Sequence, residues 1–385
     1  MQAEDWIERQ VAYRVAGALS RPALIDGRVE AAMRRVPRAA LLLAGTRRHA
    51  GLNGYDALCR WSDTTARFER APGQLRDNGL RQCAFGNLAV HWGFRGAFLT
   101  NWCDAAGHDY AGVHGVTAPV LQYVRRRAQR GQVVLFPVDR DYSGIGSPNL
   151  PLSLPDMPFS AKRDAVVWRG RFCGTLNDWS TGRQHWIDRM LFDESTTPGE
   201  DEAQRLDAVP RVRLVRELQG QDWADVGLVF KPREREALAR RPWLEAALRP
   251  LQRPRLDLAT QLGSRFILAV PGNDIASGLY WALLSQSVVM LVESEWETAL
   301  EAGLEPWVHY APVQPTLKSI GETFEALRRD RARCEAMVAR ANAHMTPYLD
   351  AAWRDAADWA TLRAYESACW PVTGLDPIWS LSRSA

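Results

Sequence analysis

Residues 265–293, RFILAVPGNDIASGLYWALLSQSVVMLVE, constrain the fold of this chain more than any other stretch. Two short apolar runs, at 265–270 and 288–293, flank a longer apolar segment. Continuous apolar runs of this length are typical of strands that are buried on both faces of a parallel sheet. We therefore predict a strand at 265–270, a helix at 275–287 and a strand at 288–293, with the tetrapeptide PGND between the first strand and the helix.

Other segments continue this alternation of strands and helices. Thr117 and Gly131 suit the two ends of a helix over 117–131, and Val133 to Val138 form a buried strand. Residues 143–158 are rich in Gly, Ser and Pro and are the best linker candidate. We predict further strands at 165–168 (ending in Arg169-Gly170-Arg171), 211–218 and 225–230, and helices within 316–345 and 351–370. Alternation on both sides of a linker predicts an α/β protein with two doubly wound domains.

Composition agrees with this fold class and excludes some partners. A chain of 385 residues exceeds the usual size of a single domain, and 46% apolar with 24% charged residues is ordinary for a soluble protein. The 48 basic and 45 acidic residues nearly balance, so nucleic acid is not indicated. Nearly all the basic residues are arginines, which reflects GC-rich coding or suits a phosphorylated ligand.

The cysteines and the N-terminal residues suggest a cytoplasmic protein. The six cysteines form no CxxC pair and no spacing typical of zinc ligands, so we expect no metal site. The first residues, MQAEDWIERQVAYRV, carry acidic side chains and lack the apolar core of a signal peptide. No apolar run approaches the ~20 residues of a membrane span.

Polar residues follow several of the predicted strands. Ligands of doubly wound sheets bind beyond the carboxyl ends of the strands. Gly272 would let a ligand approach the backbone, and the start of the following helix would offer N–H groups to a phosphate. Each set is alternatively a turn, and Asn273 and Asp274 alternatively only cap that helix. The sets are Asp139/Asp141, Arg169/Gly170/Arg171, Gly272/Asn273/Asp274 and Glu293/Glu295.

Three motifs in this order resemble one enzyme family. WRGR at 168–171, the segment at 265–296 and LEPWVHYAPV at 304–313 are similar to glycosyltransferase family 90, which includes protein O-glucosyltransferases, capsule-associated enzymes and bacterial enzymes of lipopolysaccharide modification. The resemblance covers roughly residues 130–345 and favours the bacterial branch.

The resemblance implies an architecture and a reaction. It implies a GT-B fold of two Rossmann-like domains facing across a cleft, with an acceptor-side domain at 1–155 and a nucleotide-sugar domain at 156–345. The C-terminal helix, within 346–385, would cross back to the first domain. It also implies an inverting, metal-independent transfer of glucose or xylose from a UDP-sugar to a hydroxyl of a surface glycan or lipopolysaccharide-type glycolipid. We expect no cofactor.

The reaction needs positive charge or N–H groups at the departing diphosphate and a general base for the acceptor hydroxyl. For the diphosphate we expect arginines and the start of helix 275–287. Glu293 or Glu295 would hold the ribose, although Glu295 is alternatively a solvent-exposed loop acid. The donor-site candidates are Arg169, Gly170, Arg171, Arg183, Gly272, Asn273, Asp274, Ser277, Glu293 and Glu295.

Two departures from the family pattern affect the site. The helix after PGND carries Gly278 and Leu279 where many relatives have an arginine, and Gln132 occupies the position of an aspartate that begins a strand in protein O-glucosyltransferases. Glutamine cannot act as a base. The candidate bases are Asp141, which we favour, Asp139 and Asp104; each is alternatively a turn cap or an arginine partner.

Other interpretations stay open at this point. The departures leave room for a non-catalytic relative that binds a nucleotide or glycan and acts as an interaction protein. A nicotinamide-dependent enzyme is disfavoured because the chain lacks a GxGxxG turn. The cluster RRRAQR at 125–130 is either a solvated helix face or a peripheral contact with anionic lipid at the inner face of the membrane. His309 in the PWVHY motif is more typical of a structural residue than of a catalytic one.

Overall fold

The structure is a computed structural model of the 385-residue chain. It describes residues 2–52, 59–70, 76–104, 106–137, 153–172, 191, 206 and 209–371. Helices in these ranges are α1 (Ala3–Val15), α2 (Gly27–Met33), α3 (Arg76–His91), α4 (Pro210–Leu218), α5 (Pro232–Ala239), α6 (Pro242–Leu248), α7 (Leu258–Leu262), α8 (Leu279–Leu284), α9 (Leu317–Arg328), α10 (Arg331–Leu349) and α11 (Ala351–Ala368).

The described strands before residue 140 are three or four residues long, and the longer ones lie between residues 163 and 292. They are β1 (Ala23–Ile25), β2 (Ala40–Leu43), β3 (Arg48–Gly51), β4 (Cys59–Ser62), β5 (Arg67–Arg70), β6 (Ala97–Thr100), β7 (Val120–Gln122), β8 (Val124–Arg126), β9 (Val133–Leu135), β10 (Arg163–Arg171), β11 (Ala224–Val229), β12 (Ser264–Ala269), β13 (Val288–Val292), β14 (Trp296–Thr298), β15 (Ala311–Val313) and β16 (Cys369–Pro371).

The chain forms two compact units. The first unit comprises Met1–Ser147, Trp296–Ala302 and Pro347–Ala385, and the second comprises Pro148–Glu295 and Gly303–Thr346. Both contain sheets with parallel strands and helices, so the predicted α/β class is confirmed. The domain boundaries predicted from the sequence stay a prediction.

The first unit is built on a mixed sheet with the strand order β3-β2-β6-β7-β9. Strands β6, β7 and β9 are parallel, whereas β2 runs antiparallel to β3 and β6. The predicted strand at 133–138 is present as β9. The predicted helix over 117–131 is wrong, because its first half forms β7 and β8. Val120, Leu121 and Gln122 are fully buried between neighbouring strands, and this burial outweighs the helix-capping signals.

The RRRAQR cluster is not a solvated helix face either. Its first arginine, Arg125, lies in β8 with a fully buried side chain. Its Nε donates to Glu297 Oε2 at 3.1 Å, and its other nitrogens donate to the backbone carbonyls of Tyr13, Arg14 and Val133. Arg130, which is half-exposed, also contacts Glu297. The cluster therefore ties β8 to β14 and to the end of α1.

Helices α1 and α11 also pack together in the first unit. Arg14 donates to Asp358 at 2.5 Å, and both side chains are largely buried. Tyr365 of α11 donates to the carbonyl of Pro119 at 2.7 Å, next to β7. The predicted C-terminal helix is confirmed at Ala351–Ala368 and belongs to the first unit.

His49 in β3 is a buried titratable side chain of the first unit. It is 7% exposed, and burial lowers the pKa of its imidazole from 6.5 to about 3. Between pH 6.5 and about 3, the unfolded chain binds a proton that the folded chain does not bind. The stability contributed by this group is therefore present above pH 6.5 and is lost as the pH falls through that window.

Replacement of His49 by glutamine is expected to flatten this acid dependence. The free energy of unfolding of His49→Gln, measured by urea denaturation from pH 7.5 down to pH 4, should fall less steeply than that of the wild type. Identical slopes for the variant and the wild type would show that His49 does not titrate in this way.

The second unit contains a fully parallel sheet with the strand order β11-β10-β12-β13-β15. In the order in which these strands follow along the chain, this is 2-1-3-4-5, which is one of the common doubly wound orders. The strands predicted at 165–168, 225–230, 265–270 and 288–293 are confirmed. Apolar side chains from one face of the sheet, such as Val166, Phe266 and Met290, form a core that extends to α4, α6, α9 and α10.

The strand predicted at 211–218 is wrong, since these residues form α4. Val212, Val215 and Leu218 are spaced by three residues, and all three are buried together with Leu214. This spacing places them on one helix face, and Pro210 occupies the first helical turn, where its missing N–H costs little. The helical prediction for 316–345 is confirmed by α9 and α10.

Candidate functional site

The carboxyl edge of the second unit's sheet collects most of the predicted donor-site residues. In a sheet of order 2-1-3-4-5, the switch point lies between the first and third strands, here β10 and β12. The PGND turn follows β12, Glu293 follows β13, and Arg169-Gly170-Arg171 form the end of β10. The topology therefore brings the three sets to one edge of the sheet, where ligands of such folds bind.

The WRGR motif lies inside β10. The sequence had suggested that residues 169–171 lie beyond the end of the strand. Residues 169–171 pair with Gly227, Leu228 and Val229 of β11. On one face, the Trp168 ring lies over Gly170: a Cβ built at Gly170 would be 2.1 Å from Trp168 Cζ2. Packing thus explains the glycine of the motif, because only glycine at position 170 leaves room for the ring of Trp168.

The two arginines of the motif bind carboxylates. Arg169 Nη2 donates to Asp225 Oδ1 at 2.5 Å, and its other nitrogens donate to backbone carbonyls, among them that of Pro254 at 3.0 Å. Its side chain is only 7% exposed. Arg171 forms an ion pair with the buried Glu234 of α5 and keeps a 42% exposed side chain. Of the two, Arg171 is the more accessible to a ligand.

The PGND turn is compact and partly buried. The Gly272 N–H donates to the Ile275 carbonyl at 3.4 Å. Asp274 is 6% exposed, and its Oδ1 accepts from the Ile275 N–H at 2.7 Å. Gly272 and Asn273 are half-buried. The turn thus has a defined shape with an acidic side chain folded against its own backbone.

The helix after the turn is shorter than predicted. It begins at Leu279, not at residue 275, ends at Leu284, and has Gly278 as its N-cap without a side-chain hydrogen bond. Ile275, Ala276 and Ser277 precede it. The prediction that the PGND turn opens directly into the helix is therefore wrong, because the helix starts five residues after Asp274. The PGND turn itself is therefore the candidate phosphate-binding feature at this edge of the sheet.

Glu293 continues the edge next to the PGND turn. Its N–H donates to the Val313 carbonyl, so the backbone extends the ladder between β13 and β15. Its carboxylate is exposed and accepts from Gln314 Nε2 at 2.6 Å. Glu295 is half-buried two residues later. An exposed carboxylate at this position has the chemistry to accept hydrogen bonds from hydroxyl groups.

Arg211 is a residue of this edge that sequence reasoning missed. It lies in the first turn of α4 and donates to the carbonyls of Val270 and Pro271 at 2.8 and 2.9 Å and to that of Arg171 at 3.2 Å. Its guanidinium lies 5.5 Å from the centroid of the Trp168 ring. The only available sequence signal was the helical spacing of the apolar residues around it.

Asp104 is the one candidate base that the described ranges include. It follows β6 at the carboxyl edge of the first unit's sheet. Its Oδ1 accepts from Arg81 Nη1 and from the Tyr123 hydroxyl, each at 2.9 Å. Arg81 is 2% exposed, whereas the Asp104 side chain is 40% exposed. Asp139, Asp141 and Arg183 lie outside the described residues.

Gln132, which the resemblance to the family aligns with an aspartate, has a structural role. Its Oε1 accepts from the Ala111 N–H at 3.0 Å, and its Nε2 donates to Asp109 at 3.2 Å.

Within the described ranges, no group of three His, Cys, Asp or Glu side chains is arranged to hold a metal ion. No helix in the described part of the chain is long and apolar enough to cross a bilayer.

Comparison with known proteins defines the class. The sequence model described as "Glycosyl transferase family 90" matches residues 239–352, which include the PGND turn, β13 and β15. The chain is 23% identical over 196 residues to a protein of Dichelobacter nodosus named O-glucosyltransferase LpsA, a match covering 50% of this chain and 47% of that protein.

A second relative is viral. The chain is 35% identical over 98 residues to the uncharacterised protein 035R of Invertebrate iridescent virus 3. This match covers 25% of this chain and 9% of that protein. The chain thus spans about half the length of the first relative and a small part of the second. The family model over residues 239–352 is the one that the sequence motifs resemble, and the name of the bacterial relative agrees with a glycosyltransferase.

Proposed function

We propose that this protein is an inverting, metal-independent glycosyltransferase of GT-B architecture. It transfers a sugar, glucose or xylose in the first instance, from a UDP-sugar to a hydroxyl of a surface-glycan or lipopolysaccharide-type acceptor. The observation that carries the proposal is the family match over residues 239–352, which coincides with the edge that holds the PGND turn. The glucosyltransferase name of the bacterial relative supports the choice of sugar.

The donor site of the proposal lies at the switch point between β10 and β12. The PGND turn, with Asn273, faces the diphosphate, and the exposed carboxylate of Glu293 takes the ribose hydroxyls. Arg171, with its 42% exposed side chain, can exchange Glu234 for a phosphate, which recognises a guanidinium in the same two-pronged way. Arg183 is the second proposed arginine. Arg169 has an indirect role in this proposal. Its guanidinium is already bound to Asp225, so it holds β10 and β11 in place and does not contact the phosphate.

The base in this proposal is an aspartate of the first unit. Asp141 and Asp139 follow β9 in sequence, and Asp104 follows β6. In Asp104, both described hydrogen bonds reach Oδ1, so Oδ2 is the oxygen that these two donors do not engage. A positioned general base typically contributes about 10²–10⁴-fold to the rate.

Location follows from the proposed substrates. We place the enzyme in the cytoplasm, as its cysteine pattern suggests, and a glycolipid acceptor would bring it to the inner face of the membrane. The proposal therefore includes a peripheral membrane contact. Since Arg125 is buried and Arg130 contacts Glu297, the exposed Arg127 is the first candidate in RRRAQR for such a contact.

Incubation of the purified protein with UDP-, GDP-, CMP- and TDP-sugars tests the proposal. We expect UDP-sugars to raise the melting temperature, because a ligand that binds only the folded state stabilises it, and we expect slow hydrolysis of one UDP-sugar. Hydrolysis should fall about 10²–10⁴-fold in one of Asp141→Asn, Asp139→Asn or Asp104→Asn, with UDP binding unchanged.

Two results would count against this function. Binding of UDP without turnover of any sugar nucleotide would favour the non-catalytic interpretation, which the glutamine at position 132 motivates. No response to any of the sugar nucleotides would contradict the donor-site assignment itself.

A further inference from the structure

Strands β10 and β12 separate at their carboxyl ends. Their ladder ends at the pair Val167–Ile267, whereas β10 continues along β11 as far as Arg171 and β12 continues to Ala269. The carbonyls of Arg171, Val270 and Pro271 lie at these ends and accept hydrogen bonds from a side chain. This separation lies at the switch point, where the donor site is proposed.

Arg211 spans the separation. Its Nη1 donates to the Arg171 carbonyl on the β10 side, and its Nη2 and Nε donate to the carbonyls of Val270 and Pro271 on the β12 side. One planar guanidinium thus fixes the ends of both strands and the first residue of the PGND turn. The Trp168 ring, held over Gly170, supports the guanidinium at 5.5 Å.

We propose that Arg211 is a positioning residue of the donor site, which prepares this edge to bind the diphosphate of a nucleotide sugar. Carbonyl oxygens that point out of a sheet edge carry partial negative charge and repel an anion. Arg211 engages three of them with N–H donors and adds a positive charge beneath the PGND turn. The inference rests on the proposed function and assigns its site a residue outside the matched segment 239–352.

The second unit contains a matched control for this role. Arg265 lies at the amino end of the same strand, β12, and makes similar contacts. It donates to the carbonyls of Phe159 and Ser160 at 3.3 and 3.2 Å, pairs with Asp164 at 2.6 Å, and lies 5.4 Å from the Phe159 ring. Its loss should destabilise the sheet in the same way without affecting the carboxyl edge.

The test compares UDP affinity, measured by isothermal titration calorimetry, with unfolding in urea. Arg211→Met is expected to raise the Kd for UDP about tenfold or more, because the carbonyls lose a charged hydrogen-bond partner and the turn loses its support. Arg211→Lys retains the charge but not the planar fork and should lie between Arg211→Met and the wild type. Arg265→Met should lower the stability to a similar degree and leave the Kd within about twofold.

Three results would overturn the inference. If Arg211→Met binds UDP like the wild type, or if Arg265→Met weakens binding equally, Arg211 acts only on stability. If Arg211→Met does not fold, the comparison of Arg211→Lys with Arg265→Lys decides in the same way. If the wild type binds no UDP, the proposed function fails, and this inference fails with it. The titration of the wild type alone therefore distinguishes failure of the proposed function from failure of the role of Arg211.

Discussion

Glu297→Gln is expected to lower the free energy of unfolding by about 3–5 kcal/mol, the typical cost of removing one partner of a buried ion pair. Glu297 in β14 is 5% exposed and faces Arg125 in β8, whose side chain is 0% exposed. Loss of the carboxylate leaves a buried guanidinium that keeps its hydrogen bonds to three backbone carbonyls and its contact with the Tyr13 ring, but loses its charged partner. Urea denaturation of the purified variant measures the change.

An exposed ion pair provides the control for this prediction. Glu325 in α9 contacts Arg328 and Arg329 at the surface with a 37% exposed side chain. Glu325→Gln should therefore change the stability by less than about 1 kcal/mol. Equal effects of Glu297→Gln and Glu325→Gln would show that burial does not determine the contribution of this pair.

Gly170→Ala is expected to destabilise the second unit by about 1–3 kcal/mol, the usual cost of inserting a methyl group into a packed core. The new Cβ would lie 2.1 Å from Trp168 Cζ2 and 2.6 Å from Cη2, so the indole ring must move. Trp168 is 6% exposed, and its ring carries the Arg211 guanidinium. Urea denaturation followed by tryptophan fluorescence should report both the lower stability and a changed tryptophan environment.

Gly27 gives the matched glycine. It begins α2, and a Cβ there would meet nothing within 4 Å. Gly27→Ala should therefore be neutral or stabilising by less than about 1 kcal/mol, because alanine loses less backbone entropy on folding. If Gly170→Ala is as well tolerated as Gly27→Ala, the packing explanation of the WRGR motif is wrong.

The sheet of the second unit could be predicted from the sequence because its strands are buried on both faces. Burial on both faces produces continuous apolar runs, as in RFILAV at 265–270, and such runs are visible without any tertiary information. Residues 211–218 were misassigned because the alternation of arginine with apolar residues fits a strand as well as a helix. Since Arg211 lies in that segment, the error also hid its contact with the PGND turn.

Pairing over long sequence separations explains the remaining errors at the site. Arginines after an apolar run suggest a phosphate ligand, yet Arg169 and Arg171 bind Asp225 and Glu234, which lie 56 and 63 residues away. Nothing local in the sequence predicts these partners. The helix after PGND was predicted too long because the apolar residues 275–276 are buried without being helical. Local pattern thus predicted which edge matters, but not the contacts of its side chains.

Hydrogen–deuterium exchange with and without UDP tests the central claim most directly, because it reports where the nucleotide binds. The account predicts slower amide exchange in peptides that cover the PGND turn (residues 270–277) and the end of β10 (residues 168–172). Peptides at the amino edge of the same sheet, such as residues 159–164, should exchange at an unchanged rate. Protection at the amino edge, or UDP binding without protection of residues 270–277, would contradict the assignment of the donor site.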